Sequence, residues 1–428
     1  MKRIVFFILA IFVLISCQNP EKELKAELSA QLQKNESILY TKEKALEIVK
    51  TGFNAGDGYA EVWIRDYNTF IELAAQVYPA GELKKNLLVF FRMQGEDGNI
   101  IDGFTPRKDT IIREDFIYTD REPRYAGHKN TVETDQESSL VQAVYKYVQA
   151  TGDRSILDEE IAGKTATERL DWAMEFLKEQ RYSEKYGLLW GATTVDWGDV
   201  QPEHSWGVDL DENTHRAIDI YDNAMMIIAL NNLVEMVPDL ADKWAPFREQ
   251  LMANCRMHLW NNEKQQFIPH IYLEGSPFPD DFDESEIYYF GGTAVAIEAG
   301  LLSKEEIKAS LNEMISRVEQ AGAASIGLTL YPVYPDGFFQ NPGMKAYSYQ
   351  NGGDWTWFGA RMVQQLVANG FYSEAYEQLL PMTERVLENE GFYEWYTVKN
   401  EPRGSGTFRG SAGVLFTAIT NLEKSVNK

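Results

Sequence analysis

Between residues 187 and 216 the sequence sets six acids, Asp196, Asp199, Glu203, Asp209, Asp211 and Glu212, among three tryptophans, Trp190, Trp197 and Trp206. Indole faces stack on the C–H faces of sugar rings, and low polarity around a carboxyl raises its pKa until it holds a proton near neutral pH. Such a proton donor cleaves a glycosidic bond in concert with a second carboxylate from elsewhere in the chain. Glu394, in Gly-Phe-Tyr-Glu-Trp-Tyr, is the candidate partner. Within the stretch, Asp196-Trp197-Gly198-Asp199 is the most pointed motif. Gly198 permits a tight loop, Trp197 lowers the local polarity, and two acids so close have no ordinary place in a core.

Other constellations supply groups to hold a sugar. In Trp63-Ile64-Arg65-Asp66 the indole is a stacking face, and Arg65 and Asp66 read equally as hydrogen-bonding groups at a rim or as a helix cap with an ion pair. Thr134 and Glu137 have the spacing of a capping box, which leaves Asp135 between them as a reserve proton donor at a helix start. Asn351-Gly352-Gly353-Asp354-Trp355-Thr356-Trp357 gives a close turn and two more indoles, with Asn351 a candidate polar contact. Glu394 is flanked by Trp395 and followed by a glycine-rich segment containing Arg409, both expected near the sugar. The oxygen ligands around Asp209, Asp211, Glu212 and Asn213 lack the spacing of an EF-hand. The five histidines, at 128, 204, 215, 258 and 270, lack zinc-ligand spacing, and neither a P-loop nor a Gly-x-Ser-x-Gly elbow occurs. Neither a metal nor an organic cofactor is expected.

The elements that must position these residues are helices. Apolar positions recur at helical spacing near 42–52, 67–79, 81–95, 134–151, 166–181, 218–237, 240–259, 290–300, 303–320, 354–369, 373–390 and 410–424. Connections between them alternate short, as at Pro79-Ala80-Gly81, Gly152-Asp153 and Pro238-Asp239, and long, as at 96–133, 182–216, 260–289, 321–353 and 391–409. Twelve helices in pairs predict an all-α toroid of six helical hairpins, (α/α)6, with the long loops gathered at one mouth and short β-hairpins at 110–119 and 266–273 decorating them. One catalytic domain is expected from residue 41 to 428, since no linker divides it.

The N-terminus reads as an export signal over residues 1–16: Lys2 and Arg3, an apolar run too short to span a bilayer, then Leu14-Ile15-Ser16-Cys17. Cys17 is expected to carry a lipid, residues 17–40 to form a tether or a loosely docked helix, and Gln18 to favour the outer membrane. With Cys17 acylated, only Cys255 remains, in an apolar helical pattern, so no internal disulfide forms. The net charge of −24 has no basic cluster to relieve it, which argues against nucleic acid and for a neutral carbohydrate partner. A monomer is favoured.

The ordered set Trp-Ile-Arg-Asp, Asp-Trp-Gly-Asp, Asn-Gly-Gly-x-Trp and Glu-x-Tyr before a glycine-rich helix start resembles the six-hairpin glycosidases. These include processing α-glucosidase, neutral invertase and cellobiose phosphorylase. The resemblance implies an inverting glycoside hydrolase with Asp196 as general acid and Glu394 as general base, and, by the pattern of the invertases, Asp135 as an alternative acid. It also implies sugar binding by the Arg65-Asp66 pair, beside which Trp197, Asp199, Trp355 and Trp357 are expected to hold the sugar. Inversion requires carboxyl groups roughly 6.5 to 9.5 Å apart. A phosphorylase would need a phosphate site, with Arg361, Arg403 and Arg409 as donors; a glycan-binding lipoprotein would need only the aromatic funnel; a lyase on the same toroid would need a tyrosine or asparagine paired with histidine.

Overall fold

A computed structural model describes residues 20–108 and 116–428. The segment expected to be an export signal, Cys17 and most of the strand expected at 110–119 lie outside the described residues. Among the described residues no helix is long and apolar enough to cross a membrane.

Thirteen α-helices make up the described structure: α1 (Pro20–Leu32), α2 (Glu36–Val49), α3 (Ile64–Ala74), α4 (Ala80–Met93), α5 (Gln136–Thr151), α6 (Ala166–Gln180), α7 (Ile220–Met236), α8 (Ala241–Asn254), α9 (Phe290–Glu298), α10 (Lys304–Ala321), α11 (Thr356–Ala368), α12 (Tyr372–Glu388) and α13 (Arg409–Val426). Twelve of them are the helices expected from the apolar periodicity. The odd-numbered helices from α3 onward pack each against the next, and α13 closes on α3, so six inner helices form a complete ring. The chain has the (α/α)6 toroid fold.

The division into inner and outer helices follows from sequence. Inner α9 is apolar on every face, with Phe290 through Ile297 all buried, because neighbours flank it on both sides and an outer helix lies behind. Outer α10 is amphipathic, burying only Ile307, Ser310, Leu311 and Met314. Its ends are marked by a Ser303–Glu306 capping box and by Gly322 in the left-handed region, φ +68°.

Several expectations need correction. The boundary at residue 41 falls inside α2, which starts at Glu36 with the Asn35 side chain accepting the Ile38 N–H. Of the two readings for the segment before it, tether or docked helix, the helix is present: α1 docks through buried Leu28 and Leu32 and through Ser29 to Asn427 at 2.7 Å. The joint at Gly152-Asp153 is longer than expected, holding a 3-10 turn (Arg154–Asp158) and a hairpin pairing Glu160–Ile161 with Lys164–Thr165. The 266–273 segment forms two separate strands, Gln266–Phe267 pairing with Trp260–Asn261 and Ile271–Tyr272 with Arg216–Ile218.

Every long connection leads into the N-terminus of an inner helix, so the six inner N-termini face the mouth that the loops build. The positive ends of six helix dipoles therefore point at one place, which favours acidic residues there.

Candidate active site

At that mouth lies a cavity of about 460 Å³. Its walls are aromatic: Trp63, Trp197, Trp355, Trp357, Tyr349 and Phe408 all line it. Trp197 is the centre of this cluster, stacked on Phe358 at 4.5 Å and edge-on to Trp355 and Trp357 at 4.8 and 5.5 Å. The lining acids are Asp66, Asp102, Glu133, Asp199 and Glu394.

Glu394 is held by the segment that follows it. Its N–H donates to Ser405 O at 2.9 Å, and its Oε2 accepts the Ser405 N–H at 3.3 Å. Gly404, at φ +70°, leaves room for the carboxylate: a Cβ there would lie 2.3 Å from Oε2. Burial raises the Glu394 pKa, opposed by hydrogen bonds from the Ser405 N–H and the Tyr59 hydroxyl, and the charge of Asp199 raises it further. Both carboxyls line the same cavity.

Asp199 is partly exposed to the cavity. Gln350 grips it twice: Nε2 donates to Asp199 Oδ1 at 2.8 Å, and Oε1 accepts the Asp199 N–H at 3.3 Å. No protein donor to Oδ2 is found among the described residues. Burial raises the pKa of Asp199, opposed by the Arg65 charge and the Gln350 hydrogen bond.

Asp196 stands elsewhere. It does not line the cavity, is 1% exposed, and has a left-handed backbone at φ +52°. Its two oxygens accept the Gly291 and Gly292 N–H groups at 2.7 Å each, so it caps the N-terminus of α9 from a distance in sequence. Two glycines are required there: a Cβ on Gly291 would approach Trp197 Cδ1 to 2.3 Å, and one on Gly292 would approach Asp196 Oδ1 to 2.8 Å. Burial pushes the Asp196 pKa up and these two N–H groups pull it down. The expected role as a cavity acid has no geometric basis, because both oxygens are already occupied below the floor.

Asp135 is likewise committed. It is fully buried, takes Arg65 Nε at 2.8 Å and the Tyr221 hydroxyl at 2.7 Å, and does not line the cavity. The capping box expected around it is absent: Thr134 donates its hydroxyl to Trp190 O at 3.2 Å, and Glu137 accepts the Ile100 N–H at 2.8 Å and pairs with Lys129. Arg65 lines the cavity but spends its guanidinium on Asp135, on Glu133 and on Trp197 O at 3.3 Å. Asp66, in the first turn of α3, has a buried Oδ1 with no partner, and burial pushes its pKa up to about 8.

Three expected contacts are structural instead. Asn351 is fully buried, accepting the Tyr334 N–H and donating to Tyr334 O and Met344 O, so it folds the loop that carries Gln350. Trp395 lies in the Trp395–Tyr396 strand beside Pro402–Arg403 and does not line the cavity. Arg409, also off the cavity, bonds Asn54 and Thr51, stitching α13 to the loop after α2. The other arginines considered for a phosphate fare similarly: Arg361 pairs with Glu298 at 2.7 Å, Arg403 pairs with Glu401 on the surface, and neither lines the cavity. Sequence reading missed Tyr59, Gln350, Asp102, Glu133 and His128, all of which line it. Gln350 adjoins a motif already singled out, whereas Tyr59 had no signal beyond its place in a loop before an inner helix.

No family model matches the sequence and no curated protein matches it. Solved structures do resemble it. A GH63 mannosylglycerate hydrolase from Thermus thermophilus, in complex with glucose, is similar with a TM-score of 0.63 at 16% identity, over 88% of this chain and 99% of that one. The same hydrolase in complex with Tris and D-glycerate gives a TM-score of 0.62. A rhamnosidase from Klebsiella oxytoca with rhamnose bound gives 0.58 at 12% identity, over 90% of this chain and 64% of that one. These likenesses are of fold, and they agree with the closed ring of six inner helices.

Proposed function

We propose that the chain is a glycoside hydrolase acting by inversion, with Asp199 as general acid and Glu394 as general base. The observation that carries this reading is the pair of carboxyls in one indole-walled cavity, both raised in pKa by burial, on segments almost two hundred residues apart. The activities of the similar solved structures, a mannosylglycerate hydrolase and a rhamnosidase, support the same class.

The roles follow from the partners. Asp199 has one oxygen held by Gln350 and burial favours its protonated form, so it donates the proton to the glycosidic oxygen as the C–O bond breaks. Glu394 receives two donors that favour its carboxylate, so it takes a proton from the water whose oxygen bonds to the anomeric carbon. Products are a free sugar of inverted configuration and a leaving group bearing the donated proton; both carboxyls then re-equilibrate with solvent. Asp66, whose Oδ1 has no protein partner among the described residues, hydrogen-bonds a sugar hydroxyl, Arg65 holds the wall behind it through Asp135 and Glu133, and Trp63, Trp197, Trp355 and Trp357 present ring faces and edges to the sugar C–H groups.

The proposal extends to location: export, acylation at Cys17 and anchoring to the outer membrane, with a neutral carbohydrate as partner. Loss of lipid labelling and of membrane association in Cys17→Ala tests that part. Proton NMR of the first-formed anomer, on a panel of neutral oligosaccharides, tests the chemistry. An inverted product is expected; a retained one overturns the assignment of Glu394 as base.

A further inference from the structure

The indoles deep in the cavity are hidden, with Trp197, Trp355 and Trp357 all at 5% exposure or less. Trp206 also lines it, yet 70% of that residue is exposed. A large apolar ring left in water costs free energy that folding alone gives no reason to spend.

Its backbone is nevertheless firmly held. The Gln201 N–H donates to Gly207 O at 3.0 Å, closing residues 201–207 into a small loop, and the Thr131 N–H donates to Val208 O at 3.0 Å on the far side. The Gln340 N–H donates to Pro202 O at 3.0 Å, tying this loop to the segment that brings Asn341 and Gly343 to the same cavity. An exposed ring on a fixed backbone is preorganised for stacking, because little freedom remains to be lost on binding.

Its side of the cavity is set by the chain. Asp199, Val200, Trp206 and Val208 reach the cavity from one continuous segment, so the exposed ring shares a wall with the proposed acid. The acid must touch the oxygen that joins the cleaved sugar to its leaving group, and the cleaved sugar belongs with the buried indoles.

We infer that Trp206 is the platform of a leaving-group subsite for a second pyranose ring, so that the substrate is a neutral oligosaccharide and not a glycoside of a small acid. This rests on the hydrolase reading. Glu394, the carboxylate of the hydrolase reading, opposes an anionic leaving group in the same cavity, whose one lining arginine among the described residues, Arg65, is already paired with Glu133 and Asp135, in contrast to the D-glycerate named with the similar hydrolase.

The test compares two substrates with the same cleaved sugar, a neutral oligosaccharide and the glycosyl fluoride, whose leaving group has no ring to stack. Trp206→Ala should lower kcat/KM for the oligosaccharide relative to the fluoride by about tenfold, the factor expected for one lost ring stacking interaction. An unchanged ratio overturns the inference, as does a wild-type enzyme that prefers an anionic small aglycone. Binding is read separately, by oligosaccharide titration of Glu394→Gln with and without Trp206→Ala. Weaker binding in the double variant without any turnover by the wild type would keep the platform and refute the hydrolase.

Discussion

Asp196 and Asp199 share one short loop and meet opposite fates. Asp196 is turned under the floor, where both oxygens accept amide N–H groups at the start of α9, whereas Asp199 faces the cavity with one oxygen held by Gln350. The same contrast separates Asp135, closed in with Arg65 and Tyr221, from Glu394, which keeps contact with the cavity. An acid whose lone pairs are filled by fixed donors builds a site; an acid left partly unfilled at the cavity wall is the kind that can do chemistry in it.

Substitutions that remove charge but keep shape break this contrast most sharply. Asp199→Asn and Glu394→Gln should each lower kcat by about 10³-fold, within the range for a lost acid or base, while the melting temperature stays near that of the parent. Steady-state kinetics beside a thermal melt reads both; a comparable loss from Asp196→Asn with no change in melting would reverse the roles.

Asp196→Asn should instead destabilise. An amide accepts at only one oxygen and turns its NH₂ toward the other N–H, leaving a buried donor unpaired at a cost of about 1–3 kcal/mol. Denaturant melts would show the loss, and activity should fall with the folded fraction.

The pH profile sharpens the comparison. Under the proposed mechanism activity should rise as Glu394 loses its proton and fall as Asp199 loses its own. Both pKa values are raised, so both limbs should lie above the ordinary carboxylate values of 4.5 and 3.8. Because the Tyr59 hydroxyl holds the Glu394 pKa down, Tyr59→Phe should move the acid limb to higher pH and leave the alkaline limb in place. A shift of the alkaline limb alone would assign Tyr59 to the other carboxyl.

The smallest effect concerns Asp66. Its folded pKa of about 8 lies above the ordinary 3.8, so the folded state keeps a proton that the unfolded chain has lost, and stability falls as pH rises between those values. Asp66→Asn should therefore raise the melting temperature at pH 7 to 8, with the gain vanishing near pH 4, and weaken sugar binding. A gain that persists at pH 4 would mean that charge is not its source.

The sequence by itself determined the helices, because their apolar period, caps and glycine stops are local: twelve are legible in it, and their alternation of short and long joints implies the ring. It also marked Glu394 and the tryptophans, since an acid among aromatics before a glycine-rich helix start is a local pattern. What only the tertiary structure decided was where each loop acid points. A backbone turn to φ +52° at Asp196, made for the amides of a helix almost one hundred residues later, cannot be read from Asp-Trp-Gly-Asp. Tyr59 and Gln350 became site residues for the same reason: their partners are carboxyls brought by closure of the ring, which neither the loop around Tyr59 nor the motif beside Gln350 names.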